Sequence, residues 1–142
     1  MEYNIWYGNN QVETMLDYSQ NAKKILIVED DEPIRNLYAM KLAQVGFNII
    51  TAVNGALGYE AAKTHSPDLI LLDLRMPTMN GDEMLIKLRS TEWGSNIRVI
   101  ILTNISKNEA PQSLRLLSVD RYVTKVHHTP SQIAEMVQEV LS

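Results

Sequence analysis

From Lys24 onward, short unbroken apolar runs alternate with stretches in which apolar residues recur every three or four positions. Ile25-Leu26-Ile27-Val28 is continuous, rich in β-branched residues and bounded by polar ones, so it reads as a buried strand. Ile34, Leu37, Tyr38, Leu42 and Val45 then fall at helical spacing, and Gly46 stops that helix. The same alternation predicts strands over residues 47–51, 68–72, 98–102 and 121–124. It predicts helices from Asn54-Gly55 to about residue 64, over 82–89 and over 107–117. The last helix, 131–141, is the best marked. Ile133, Met136, Val137, Val140 and Leu141 share one face, Thr129 and Gln132 form a capping-box pattern, and Pro130 stands at the first helical position. Five βα units thus fill residues 24–141. Strands that are apolar throughout need cover on both faces, which means a parallel sheet. Right-handed crossovers make it a doubly wound α/β sandwich. Periodicity leaves the strand order open.

Composition narrows the reading. A chain of 142 residues fits one domain, and 45% hydrophobic with 21% charged residues fits a globular one. With no cysteine, disulfides, thiolate metal sites and cysteine nucleophiles are excluded. No apolar run reaches membrane-spanning length, and residues 1–20 lack the Lys or Arg and the apolar core of a secretory signal. The expected address is therefore cytoplasmic. Seventeen acidic against 13 basic residues give −4, which argues against nucleic acid as a direct partner. Residues 1–22 stand apart: they hold Glu2, Glu13 and Asp17 and no basic residue, with Tyr3, Trp6, Tyr7 and Tyr18. They are expected to be a flexible N-terminal extension to a domain spanning 23–142. The alternative is a short helix carrying Val12, Met15, Leu16 and Tyr18, or an arm that docks its aromatics on a partner.

Ligand sites in doubly wound sheets lie beyond the carboxyl ends of the strands. There the chain offers Glu29, Asp30 and Asp31, then Asp73, then Thr103, then Lys125. Carboxylates aimed at one spot repel each other unless a hard cation such as Mg²⁺ sits between them, and an oxygen-only set suits it. A lysine nearby offsets charge and can bind an anion. Asp31, just before Pro33, reads as a helix cap. Met76, Met79 and Met84 read as packing, and His65, His127 and His128 show no metal spacing.

Four segments carry a resemblance: Ile25 to Pro33, Leu69 to Gly81 with its Asp-x-x-Met-Pro-x-Met-x-Gly pattern, Ile100 to Thr103, and Tyr122 to Lys125. Together they resemble the receiver domain of bacterial two-component response regulators over residues 24–141. The resemblance implies a flavodoxin-like sheet of order 2-1-3-4-5. It implies that Asp73 accepts a phosphoryl group from a histidine kinase or phosphotransfer protein. Glu29, Asp30, Asp73 and the backbone carbonyl of Arg75 would hold Mg²⁺. Thr103 would bond the phosphoryl group, Lys125 would pair with it, and Tyr122 would swing inward on activation to signal to a downstream protein. Such a chain is a regulatory domain and not an enzyme beyond its own phosphorylation and dephosphorylation.

Three positions depart from the family pattern. Asn104 replaces a small residue, Val126 replaces a proline, and Ser118-Val119-Asp120-Arg121 replaces a small pair. A cis Lys125–Val126 bond would cost about 2.5–4 kcal/mol, so trans is expected. Two other function classes fit the sequence less well. An α/β enzyme would need a glycine-rich phosphate loop or an Asp-x-Asp, and Asp73-Leu74-Arg75 lacks the second acid. A receiver-like interaction domain that signals without phosphate is favoured only by Asn104 and Val126. No output domain follows the last helix, so a stand-alone receiver or a fragment is expected. The final helix offers Glu135 and Glu139 and no basic residue, so a monomer is expected before phosphorylation.

Overall fold

The computed structural model describes residues 3–7, 13–17 and 22–142, with side chains from residue 22 onward. In chain order the elements are β1 (Tyr3–Tyr7), β2 (Glu13–Asp17), β3 (Lys24–Val28), α1 (Glu32–Gln44), β4 (Asn48–Ala52), α2 (Gly55–His65), β5 (Leu69–Leu72), α3 (Gly81–Arg89), β6 (Arg98–Thr103), β7 (Arg121–Thr124) and α4 (Pro130–Leu141). The sheet order is β1-β2-β4-β3-β5-β6-β7. Its parallel part, β4-β3-β5-β6-β7, is the expected five-stranded 2-1-3-4-5 arrangement.

Successive strand residues point to opposite faces, and the core divides accordingly. Ile25, Ile27, Leu69, Leu71, Ile100 and Leu102 face Tyr38, Leu42, Ile133 and Val137 of α1 and α4. Leu26, Val28, Ile70, Leu72, Val99 and Ile101 face Ala61, Ala62, Met84 and Leu88 of α2 and α3. The helix starts follow local chemistry. The Asp31 carboxylate accepts the Ile34 N–H at 3.1 Å, as its cap role required. Thr129 and Gln132 complete the capping box that opens α4. No helix among the described residues is long and apolar enough to cross a membrane.

Two findings depart from the sequence reading. Residues 3–7 and 13–17 form strands: β1 pairs antiparallel with β2, and β2 pairs antiparallel with the β4 edge, so the alternative helix does not run through Met15 and Leu16. The rest of the expected flexible extension, residues 1–2, 8–12 and 18–21, lies outside the described residues. Second, no α-helix forms over 107–117. Two 3₁₀ turns, Lys107–Glu109 and Gln112–Leu116, replace it. The cause is Pro111, which has no N–H and disfavours helical backbone in the residue before it. Ala110 accordingly sits at φ −67°, ψ 148°.

Candidate functional site

The parallel ladders run slightly past the strand ends and set the site. The Asp73 N–H donates to the Val28 carbonyl at 3.1 Å, and the Glu29 N–H donates to the Ala52 carbonyl at 3.0 Å. Register pairs Val28 with Leu72, so the residues that follow them, Glu29 and Asp73, emerge side by side. Asp73 then meets α3. A Cβ on Gly81 would lie 2.0 Å from the Asp73 carbonyl oxygen, so only glycine lets this helix start come so close. Glu29 and Asp73 are buried and Asp30 is exposed.

One oxygen from each of Glu29, Asp30 and Asp73 lies within 4.8 Å of the others. Three hard oxygen donors converging at that range fit a divalent cation such as Mg²⁺. Lys125 reaches in from the end of β7. Its ammonium bonds the Glu29 carboxylate, and it lies 3.2 Å from Asp73 Oδ2. The other Asp73 oxygen, Oδ1, accepts the Leu74 N–H at 2.8 Å. Burial pushes the Glu29 carboxyl up to about 7; the bond from Lys125 opposes the rise and the charge of Asp73 adds to it. Burial alone would pull the Lys125 ammonium down, but its bonds and attraction to Glu29 and Asp73 leave it above the ordinary lysine value.

A cleft of about 210 Å³ opens over this cluster, lined by Asp73, Arg75, Thr103, Asn104, Ile105, Glu109 and Lys125. Thr103 is buried at the end of β6, and its hydroxyl accepts the Ile105 N–H at 3.4 Å. Tyr122 donates its hydroxyl to the Ile105 carbonyl at 2.7 Å. The backbone of one residue, Ile105, thus touches both switch candidates. Asn104 is exposed at the mouth, and Lys125–Val126 is trans, with Val126 in the 3₁₀ turn Lys125–His127.

Asp73, Arg75, Thr103 and Lys125 therefore line one cleft, Glu29 and Asp30 converge on Asp73 beside it, and Tyr122 reaches it through Ile105. Two were missed. Arg35, on the buried face of α1, donates to the Glu29 carbonyl at 3.0 Å and the Asp30 carbonyl at 3.4 Å. Its signal was visible: Arg35 shares a helical stripe with Tyr38 and Leu42. Glu109 had no such signal, because the turn that brings it to the cleft exists only through the break at Pro111.

Comparison with known proteins agrees with this architecture. The response regulator receiver domain profile matches residues 25–138. The chain is 31% identical over 122 residues to the chemotaxis protein CheY of Halobacterium salinarum, covering 85% of this chain and 98% of that protein. It is 34% identical over 122 residues to the phosphate regulon transcriptional regulatory protein PhoB of Pseudomonas aeruginosa, covering 84% of this chain and 52% of that one. It thus spans about half the length of that regulator, and only 8% of a hybrid signal transduction histidine kinase D of Dictyostelium discoideum. The fold superposes on chemotaxis protein CheY4 of Vibrio cholerae with a TM-score of 0.77 at 24% identity, over 84% of this chain and 98% of that one.

Proposed function

This chain belongs to the response regulator receiver domain family, and from that premise we propose that it carries a phosphoryl group on Asp73. The family makes it a regulatory module of phosphorelay signalling. The observation that carries the finer reading is the ring of charge around Asp73. Lys125 lies 3.2 Å from its Oδ2, and oxygens of Glu29 and Asp30 lie within 4.8 Å of its own.

Glu29, Asp30 and Asp73, with the carbonyl of Arg75, would hold Mg²⁺. Bound there, the ion would supply positive charge that offsets the repulsion between incoming phosphoryl oxygens and the carboxylates. Leu74 N–H fixes Asp73 Oδ1, which holds the carboxylate in one orientation. An Asp73 oxygen forms the bond to phosphorus while the bond from phosphorus to a kinase histidine nitrogen breaks, and the imidazole leaves with the electron pair. Lys125 then follows the new negative charge, as a mobile point cation can. Thr103 gives up its contact with Ile105 to donate to a phosphoryl oxygen. Tyr122, bonded to that same Ile105, feels the change.

The surface that would be read is the groove of about 810 Å³ between residues 107–119, β7 and α4. The unphosphorylated protein is a monomer in this reading. Glu139 is already paired with Arg121 of its own chain at 2.9 Å, and exposed pairs contribute only about 0–1 kcal/mol each. Mass spectrometry after treatment with acetyl phosphate and Mg²⁺ tests the proposal. One phosphoryl addition that disappears in Asp73→Asn supports it; addition that persists in that variant, or that lands on histidine, overturns it.

A further inference from the structure

Glu109 is the one acid lining the cleft that belongs neither to the carboxylate cluster nor to an ion pair. It stands in the 3₁₀ turn Lys107–Glu109, its side chain is exposed, and its carboxylate has no ion-pair partner among the described residues. Yet it borders the same cleft as Asp73 and Lys125. Its charge also reaches inward. The Tyr122 hydroxyl is pushed up by burial first, and further by Asp73 and Glu109. Arg75 lines the same cleft, also exposed and also without an ion-pair partner among the described residues. Lys125 is committed to Glu29 and Asp73 at the floor. The exposed charges on the cleft lining are therefore one cation and one anion.

We propose that Glu109 is a specificity residue for the phosphoryl donor: its carboxylate cancels the field of Arg75 at the cleft mouth and slows entry of free dianionic donors. The inference rests on Asp73 being the phosphoryl acceptor. A narrow cleft focuses the field of its lining charges and so sets how often a small anion enters. A phosphohistidine presented by a docked protein is held by contacts outside the cleft and is far less dependent on that field. The residue acts on approach and not on bond making. With acetyl phosphate, an Asp73 oxygen bonds to phosphorus as the bridging P–O bond breaks and acetate leaves with the electron pair. With phosphoramidate, the P–N bond breaks and ammonia leaves. Neither step needs Glu109 as acid or base.

Labelling rates at Asp73 should be followed by mass spectrometry with acetyl phosphate, a dianion, and with phosphoramidate, a monoanion, at low and high salt. Glu109→Gln is expected to speed labelling by acetyl phosphate about three- to tenfold at low ionic strength, and by phosphoramidate about half as much on a logarithmic scale. The gain should lie in the concentration dependence and not in the saturating rate. It should shrink below about twofold near 1 M salt, where the screening length falls to about 3 Å. Glu109→Asp should keep the slow wild-type rate. An unchanged rate in Glu109→Gln, with wild type labelled and Asp73→Asn not, overturns the role of Glu109 alone. A gain equal for both donors and insensitive to salt overturns it too, since that is the signature of a loosened loop. Failure of wild type to be labelled by either donor overturns both this inference and the acceptor role of Asp73.

Discussion

Arg35, only 4% exposed, donates its guanidinium to the backbone carbonyl of Glu29 at 3.0 Å. A helix side chain thereby fixes the loop that carries the acidic pair, without touching either carboxylate in that bond. Arg35→Met keeps much of the packing and removes the donors. It is expected to cost about 1–3 kcal/mol, since a buried carbonyl loses its partner. It should also weaken Mg²⁺ binding. Urea denaturation read by circular dichroism, with calorimetry for the ion, checks both effects.

Asp30 and Asp31 are adjacent acids with different surroundings. Asp30 converges with Glu29 and Asp73, whereas Asp31 spends a carboxylate oxygen on the N–H of Ile34. Asp30→Asn should reduce Mg²⁺ affinity at least tenfold, and Asp31→Asn should barely change it, since asparagine still caps. Titration calorimetry of both variants decides, and equal losses would contradict the assignment.

The pH dependence of stability should carry a mark of Glu29. Its carboxyl is pushed up to about 7 in the fold from an ordinary 4.5. The folded state therefore holds a proton that the unfolded chain has released across that window. The contribution is fully present below pH 4.5 and is lost as pH rises through 7. Glu29→Gln cannot titrate. Without divalent cations, the fall in stability between pH 4.5 and 8 should be smaller in that variant by about 1–3 kcal/mol. Denaturation series at the two pH values measure it.

Thr78 sits at φ 70° in a turn closed by the Met79 N–H to Pro77 carbonyl bond of 2.8 Å. This is a strained conformation for a β-branched residue. Thr78→Gly is expected to stabilise the domain by about 1 kcal/mol, the relieved strain exceeding the added freedom of the unfolded chain. A thermal melt that moves downward would refute the reading.

Gly81 makes the opposite case. The position where its Cβ would stand is 2.0 Å from the Asp73 carbonyl oxygen. Gly81→Ala must push α3 away from the end of β5. A loss of about 2 kcal/mol or more is expected, in the range of overpacked cores. Labelling of Asp73 should slow with it, because the carboxylate is displaced together with its backbone.

The sequence by itself determined whatever rests on neighbours along the chain. Apolar runs such as Leu69 to Leu72 are too hydrophobic to leave exposed, which dictates a sheet covered on both faces. Asp31 and Thr129 announce their helices because a cap acts within three residues. The site was legible for a related reason: Glu29, Asp73 and Lys125 directly follow strands, Thr103 ends one, and parallel strands place their ends together. Tertiary structure alone decided the rest. That β2 joins the β4 edge depends on unpaired backbone groups there, which no local pattern encodes. The buried place of Arg35 depends on carbonyls that turn toward it from another element. The loss of the helix over 107–117 was signalled locally by Pro111. Its consequence, Glu109 at the lip of the cleft, required β6 and β7 to bring that segment over Asp73, because charges far apart in sequence meet only when the sheet has closed the distance.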